Sequence, residues 1–155
     1  MKKLYAMILA LALVLSLAAC GGESAPTAEA ADLNAVYESM ADTLPEMIVM
    51  DEDTMLNFFG IETEDCLQVV TAVCADGLRT DEVWLIEAKD DAALKELLTL
   101  AETRLTAKAD ETINYTPDQY LIVEKAELLT EGKYLALLVS PDVDTLKAVF
   151  EDAVK

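Results

Sequence analysis

Between residues 32 and 155 the apolar and polar positions change period several times, and each change predicts an element. Leu33, Val36, Tyr37, Met40, Ala41 and Leu44 recur at the intervals of one helical face, with Asp32 placed to cap the N-terminus and Pro45 to end the run. A second, shorter helix is expected from Asp51 or Asp53 through Met55, Leu56, Phe58 and Phe59; Gly60 stops it in the C-cap position and Ile61 follows as a packing residue. From Leu67 to Ala75 the pattern becomes a dense β-branched run, which predicts a strand with Cys66 and Cys74 at its start and end. Asp76-Gly77 opens a connection, and Val83 to Ala88 returns as the antiparallel partner, with Trp84 and Ile86 on one face and Val83 and Leu85 on the other.

Asp90 and Asp91 begin the longest helix, whose stripe Leu94, Leu97, Leu98, Ala101 and Leu105 runs toward Ile113. Pro117 marks Tyr115 to Gln119 as a turn, while Tyr120, Leu121 and Val123 are apolar and need a packing partner. Ala126 to Thr130, Glu131-Gly132 and Lys133 to Val139 predict a tight hairpin in which Gly132 takes a positive φ. Ser140-Pro141-Asp142 starts the last helix, with Pro141 at its first position and Leu146, Val149, Phe150 and Val154 on the buried face. The expected fold is therefore α+β: two N-terminal helices followed by two ββα units, with a four-stranded antiparallel sheet and helices packed on one face.

The N-terminal stretch is of another kind. Lys2 and Lys3 precede an apolar run, Leu4 to Leu17, that closes on Leu17-Ala18-Ala19-Cys20. A basic start, an apolar core too short to span ~30 Å of hydrocarbon and small residues before a cysteine are the marks of a lipoprotein signal. On this reading residues 1–19 are removed, Leu17, Ala18 and Ala19 are read by the signal peptidase, and the Cys20 thiol carries a diacylglyceryl group. Two acyl chains anchor stably where one does not, so the expected location is the extracytoplasmic face of the cell membrane. Residues 20–31, made of Gly, Glu, Ser, Ala, Pro and Thr after the cysteine, form a flexible tether, and residues 32–155 form a single domain.

Charge narrows the partners. The chain carries 30 acidic against 11 basic residues, a formal net charge of -19, and loses two more lysines with the leader. Such a surface repels phosphate, so nucleic acid is not expected as a partner; an envelope protein or a small ligand is. With no histidine in the chain, imidazole bases, Ser-His-Asp triads and His-ligated zinc are excluded. Cys66 and Cys74, about 26 Å apart along one strand, lie beyond the ~7 Å limit of a disulfide and are expected as free buried thiols. Asp51, Asp53 and Glu62 match three positions of a calcium loop, but Leu56 stands where that loop requires glycine; helix capping accounts for these acids, and neither a metal nor a cofactor is expected. Tyr37 and Trp84 fall on apolar faces. Tyr115 and Tyr120, in the irregular stretch, are the candidate ligand contacts.

The lipoprotein motif, the alanine-rich tether, Phe59-Gly60-Ile61, Asp81-Glu82-Val83, Ala88-Lys89-Asp90 and Gly132-Lys133-Tyr134 together resemble the domain-of-unknown-function family 4358 of clostridial-type surface lipoproteins. The resemblance covers nearly the whole mature chain. It implies a small extracytoplasmic α+β domain of unassigned activity, and it carries no catalytic residue over to this chain. The expected function is a membrane-tethered binding or interaction module rather than an enzyme; the alternative is an enzyme using carboxylates alone on cell-envelope glycans, with two acids roughly 5 to 9.5 Å apart.

Overall fold

The computed structural model describes residues 30–155. The leader with Leu17, Ala18 and Ala19, the lipidation candidate Cys20 and the tether as far as residue 29 lie outside the described residues. The elements run α1 (Leu33–Met40), β1 (Met47–Val49), α2 (Glu52–Phe59), β2 (Cys66–Cys74), β3 (Glu82–Ala88), α3 (Asp91–Tyr115), α4 (Pro117–Val123), β4 (Glu127–Glu131), β5 (Tyr134–Val139) and α5 (Val143–Ala153). Among the described residues no helix is long and apolar enough to cross a membrane.

Local signals place the helix ends. The Asp32 carboxylate accepts hydrogen bonds from the backbone N–H groups of Asn34 and Ala35, Asp51 from Thr54, and Asp90 from Ala92 and Ala93, each satisfying donors that the first helical turn leaves free. Gly60 closes α2 at φ +73, a left-handed conformation that a Cβ disfavours. Gly132, at φ +56, turns β4 into β5.

The sheet is antiparallel throughout, in the order β1-β2-β3-β5-β4. It therefore has five strands among the described residues, not four. The added one, β1, pairs Met47, Ile48 and Val49 with Cys74, Val73 and Ala72. Three residues just after Pro45 are too few to show a period of two, so only backbone pairing with β2 reveals this edge strand. Helices cover both faces of the sheet rather than one. On the first face Trp84, Ile86, Leu135 and Leu137 pack with Met55 and Phe59 of α2, Ile61, Leu97 and Ala101 of α3 and Val123 of α4. On the second, Val83, Leu85, Ala136 and Leu138 pack with Leu33, Val36 and Met40 of α1 and with Leu146 and Phe150 of α5. Strand β3 is buried at all seven positions, as a strand covered on both sides must be.

Two boundaries also differ from expectation. Residues 115–119 are not a turn: α3 ends at Tyr115, Thr116 breaks the path at φ -141, and Pro117 opens α4. A proline at a first helical turn lacks a donor that would be unpaired there in any case. The last helix starts at Val143, not at Pro141. Ser140 Oγ accepts from the Asp142 N–H, and Asp142, outside helical geometry at φ -103 and ψ 33, supplies the carbonyl to which Thr145 donates.

The described chain joins the fold at one corner of the second face. Ala31 donates its N–H to the Tyr134 hydroxyl and accepts from Gln68 Nε2, while Leu33 N–H donates to Gln68 Oε1. Gln68 in turn donates to Glu87.

Candidate functional site

Helix α3, 25 residues and about 37 Å long, outruns the apolar part of the sheet. Its buried positions pass from Ala93, Leu97 and Ala101 to Lys108 and Thr112, so its C-terminal half brings polar groups down onto the sheet. Opposite them stands Glu82, the first residue of β3, on the same face as Trp84 and with no exposure to solvent.

Glu82 organises the cluster. Its Oε1 accepts from Trp84 Nε1 at 2.9 Å and from Arg104 Nε at 2.9 Å; its Oε2 accepts from Arg104 Nη2 at 2.7 Å and lies 3.0 Å from Lys108 Nζ. Lys108 also donates to the Thr80 carbonyl at 2.9 Å. The Arg104 guanidinium lies 5.3 Å above the Phe59 ring, whose centroid is 4.9 Å from that of Trp84, a cation–π arrangement continued by an aromatic pair. Burial works against the Arg104 charge, but the hydrogen bonds and charge of Glu82, with Glu111 beyond, outweigh it and raise the guanidinium pKa above its ordinary value. Nearby, Arg79 forms a two-bonded pair with the buried Asp81, which raises its pKa likewise. Thr80 is tied to α4, since its N–H and hydroxyl both donate to Gln119 Oε1.

Above this cluster lies a groove of about 450 Å3. The β2–β3 connection forms one wall, the end of α3 the other, and Phe58, Phe59 and Met50 the third side. Three large apolar side chains at it are turned outward: Phe58 (76% exposed), Leu78 (76%) and Tyr115 (85%). The chain has two arginines, Arg79 and Arg104, and both line this groove, together with Lys108, the one lysine buried among the described residues. A larger depression of about 580 Å3, between Gly60 and the first turns of α3, is lined by Glu62, Asp65, Lys95, Glu96 and Thr99 without an aromatic or a buried charge. Size alone does not mark a site. The convergence of scarce cations and exposed aromatics does.

The two candidate tyrosines separate. Tyr115 reaches the groove; Tyr120 is half-buried in α4 and does not line it. Cys66 and Cys74 are free, and burial pushes the Cys66 thiol up to about 11, with Asp65 adding to the effect and Lys89 opposing it. Sequence reasoning missed Glu82, Arg104, Lys108, Arg79 and Phe58. One signal was present: from Ala101 the helical spacing continues through Arg104, Lys108 and Thr112, so the buried stripe turns polar while the helix goes on. Chemically, the groove offers cations and apolar surface. Its buried acids Asp81 and Glu82 are both held by cations, unlike the free acid and base that glycosidic cleavage requires.

A family model described as Domain of unknown function (DUF4358) matches residues 38–140, a span that contains the groove and all five strands. No curated protein and no solved structure matches the chain.

Proposed function

The chain belongs to the DUF4358 family, and from that premise we propose that it is a lipid-anchored extracytoplasmic lipoprotein whose folded domain is a binding module, with the groove above Glu82 as its site. The observation that carries the reading is the gathering of both arginines and the buried lysine under an exposed aromatic rim, in a chain with almost three acids for every base. A buried cluster of charges contributes little net stability compared with apolar packing of the same volume, so stability alone is a poor reason to keep one. An exposed aromatic rim costs solubility unless something covers it. Together they make a recognition surface: fixed charge at the base, apolar contact at the lip. Anchoring at Cys20 would hold that surface outside the membrane.

The test has two parts. Mass spectrometry of the mature N-terminus is expected to find Cys20 lipidated and residues 1–19 removed; an uncleaved or unlipidated chain would remove the anchor from the reading. A thermal-shift screen of small metabolites, run beside a cross-linked pull-down from cell envelope, is expected to yield binding that Tyr115→Ala weakens. Silence in both arms would end the binding-module reading.

A further inference from the structure

We infer that the groove takes a small organic carboxylate with an apolar body of aromatic size, its carboxylate against the Arg104 guanidinium and its body against Phe58 and Tyr115. The inference rests on the groove being the binding site, as proposed above, and adds the class of ligand.

Charge balance supplies the first reason. Asp81 answers Arg79 one for one, but Glu82 is a single carboxylate shared by Arg104 and Lys108. The buried part of the cluster thus holds one positive charge in excess, which the exposed Glu111 at the groove's rim offsets only across solvent. With Glu111 counted, the groove tolerates a monoanion placed at its buried end; a phosphate dianion or a polyanion meets stronger repulsion from Glu111 and the acidic surface beyond.

Donor geometry supplies the second. Arg104 spends Nε and Nη2 on Glu82, and Arg79 spends the same pair on Asp81. Nη1 of each guanidinium is left without a partner among the described residues, and both side chains line the groove. Guanidinium N–H groups held in place by a buried carboxylate are pre-organised to donate to a second carboxylate, with less entropy to lose than a mobile lysine.

The rim supplies the third. Phe58, Leu78 and Tyr115 expose most of their surface at the groove, and about 450 Å3 lies at the lower end of the range for ligand pockets. That space suits one ring or a short branched chain and not an extended polymer. A neutral apolar ligand would leave the remaining guanidinium N–H groups without an acceptor, and a bare small anion would leave the rim uncovered.

Isothermal titration of the full-length mature protein in detergent, with 3-phenylpropionate, 3-phenylpropanamide, propionate and inorganic phosphate as probes, tests the inference. The acid is expected to bind, with the amide weaker by about tenfold or more, the value of a charge-assisted hydrogen bond. Propionate and phosphate are expected to be weaker as well, and Tyr115→Ala is expected to weaken the acid by about threefold or more at unchanged melting temperature. Equal binding of acid and amide, both weakened by Tyr115→Ala, would overturn the ligand class and leave the groove as the site; tighter phosphate, weakened in the same way, would do likewise. Acid binding indifferent to Tyr115→Ala would overturn the groove and the ligand class together. No binding by any probe would overturn the ligand class and leave the groove to the metabolite screen.

Discussion

Replacing Glu82 by glutamine isolates the charge at the centre of the cluster. The two side chains have the same shape, and the amide oxygen can still accept from Trp84, whose Nε1 lies 2.9 Å from Oε1. What disappears is the negative charge, and the amide NH2 now faces two cations. Arg104 stays protonated under any ordinary condition, and the Lys108 side chain is only 8% exposed, so neither is freed to recover full hydration. Removing one partner of a buried ion pair costs about 3–5 kcal/mol; because the Arg104 side chain keeps 24% of its exposure, the expected loss lies near the lower end, about 3 kcal/mol. For a folded domain of this size each kcal/mol moves the melting temperature by roughly 3–5 °C, so the variant should melt about 10–15 °C lower. Urea unfolding followed by the fluorescence of Trp84, the chain's one tryptophan, reads the difference directly, provided the denaturant slope is unchanged. The triple variant Glu82→Gln, Arg104→Met, Lys108→Met removes all three charges while keeping an acceptor for Trp84 Nε1, and should be more stable than the single variant, with a remaining loss of about 1–2 kcal/mol from the Thr80 carbonyl that loses its Lys108 donor. A loss below about 1 kcal/mol in Glu82→Gln, or a triple variant weaker than the single one, would refute the view that buried charge without its counter-charge is what costs.

Two further outcomes follow from single buried groups. Thr71 is fully buried opposite Trp84, and its hydroxyl has no hydrogen-bond partner; Thr71→Val should therefore raise stability by about 1 kcal/mol in the same urea assay, and a decrease would mean that the hydroxyl is satisfied in solution. The Cys66 thiol, ordinarily near 9.0, is held up to about 11 in the fold, chiefly by burial. At pH 8.5 its alkylation, followed by peptide mass mapping, should run about a hundredfold slower in the folded than in the urea-unfolded chain, since the thiolate is the nucleophile. The stability this group contributes is complete below pH 9 and is lost as the pH rises toward 11, because only the unfolded chain releases the proton in that window. Equal alkylation rates would contradict both statements.

Features decided within a few residues were the ones legible in the sequence. Asp32, Asp51 and Asp90 cap helices, Gly60 and Gly132 take positive φ, and Cys66 and Cys74 bound one strand, because each depends on backbone groups close by in the chain. What depends on distant partners is less legible there. Val83 and Leu85 are as apolar as Trp84 and Ile86, which already marks a strand buried on both faces, but the pairing of α1 with α5 on the second face is a property of the assembled fold. The three residues of β1 have no pattern of their own. Pro117 has the look of a breaker because a proline opening a helix and one ending a helix are alike in sequence until the neighbouring helix is in place. The exposure of Tyr115 is legible in the sequence; the role of Glu82 is not, since an acid following Asp81 at the entry to a strand resembles any solvated turn residue until Arg104 and Lys108, 22 and 26 positions later, fold over it.

The anchoring of Ala31 to Gln68 and Tyr134 has a bearing on presentation. Gln68 is near the beginning of β2 on the face of α1 and α5; Cys74, at the groove, ends the same strand, six residues or about 20 Å onward, and Glu82 and Arg104 belong to the opposite face. The attachment point and the mouth of the groove are thus diagonal corners of one slab. A restraint applied at Ala31 acts at the other end of β2 from the aromatic rim. Ala31 and the aromatic rim can therefore be engaged at the same time, since contact at one end and face of the sheet leaves the other end and the opposite face open.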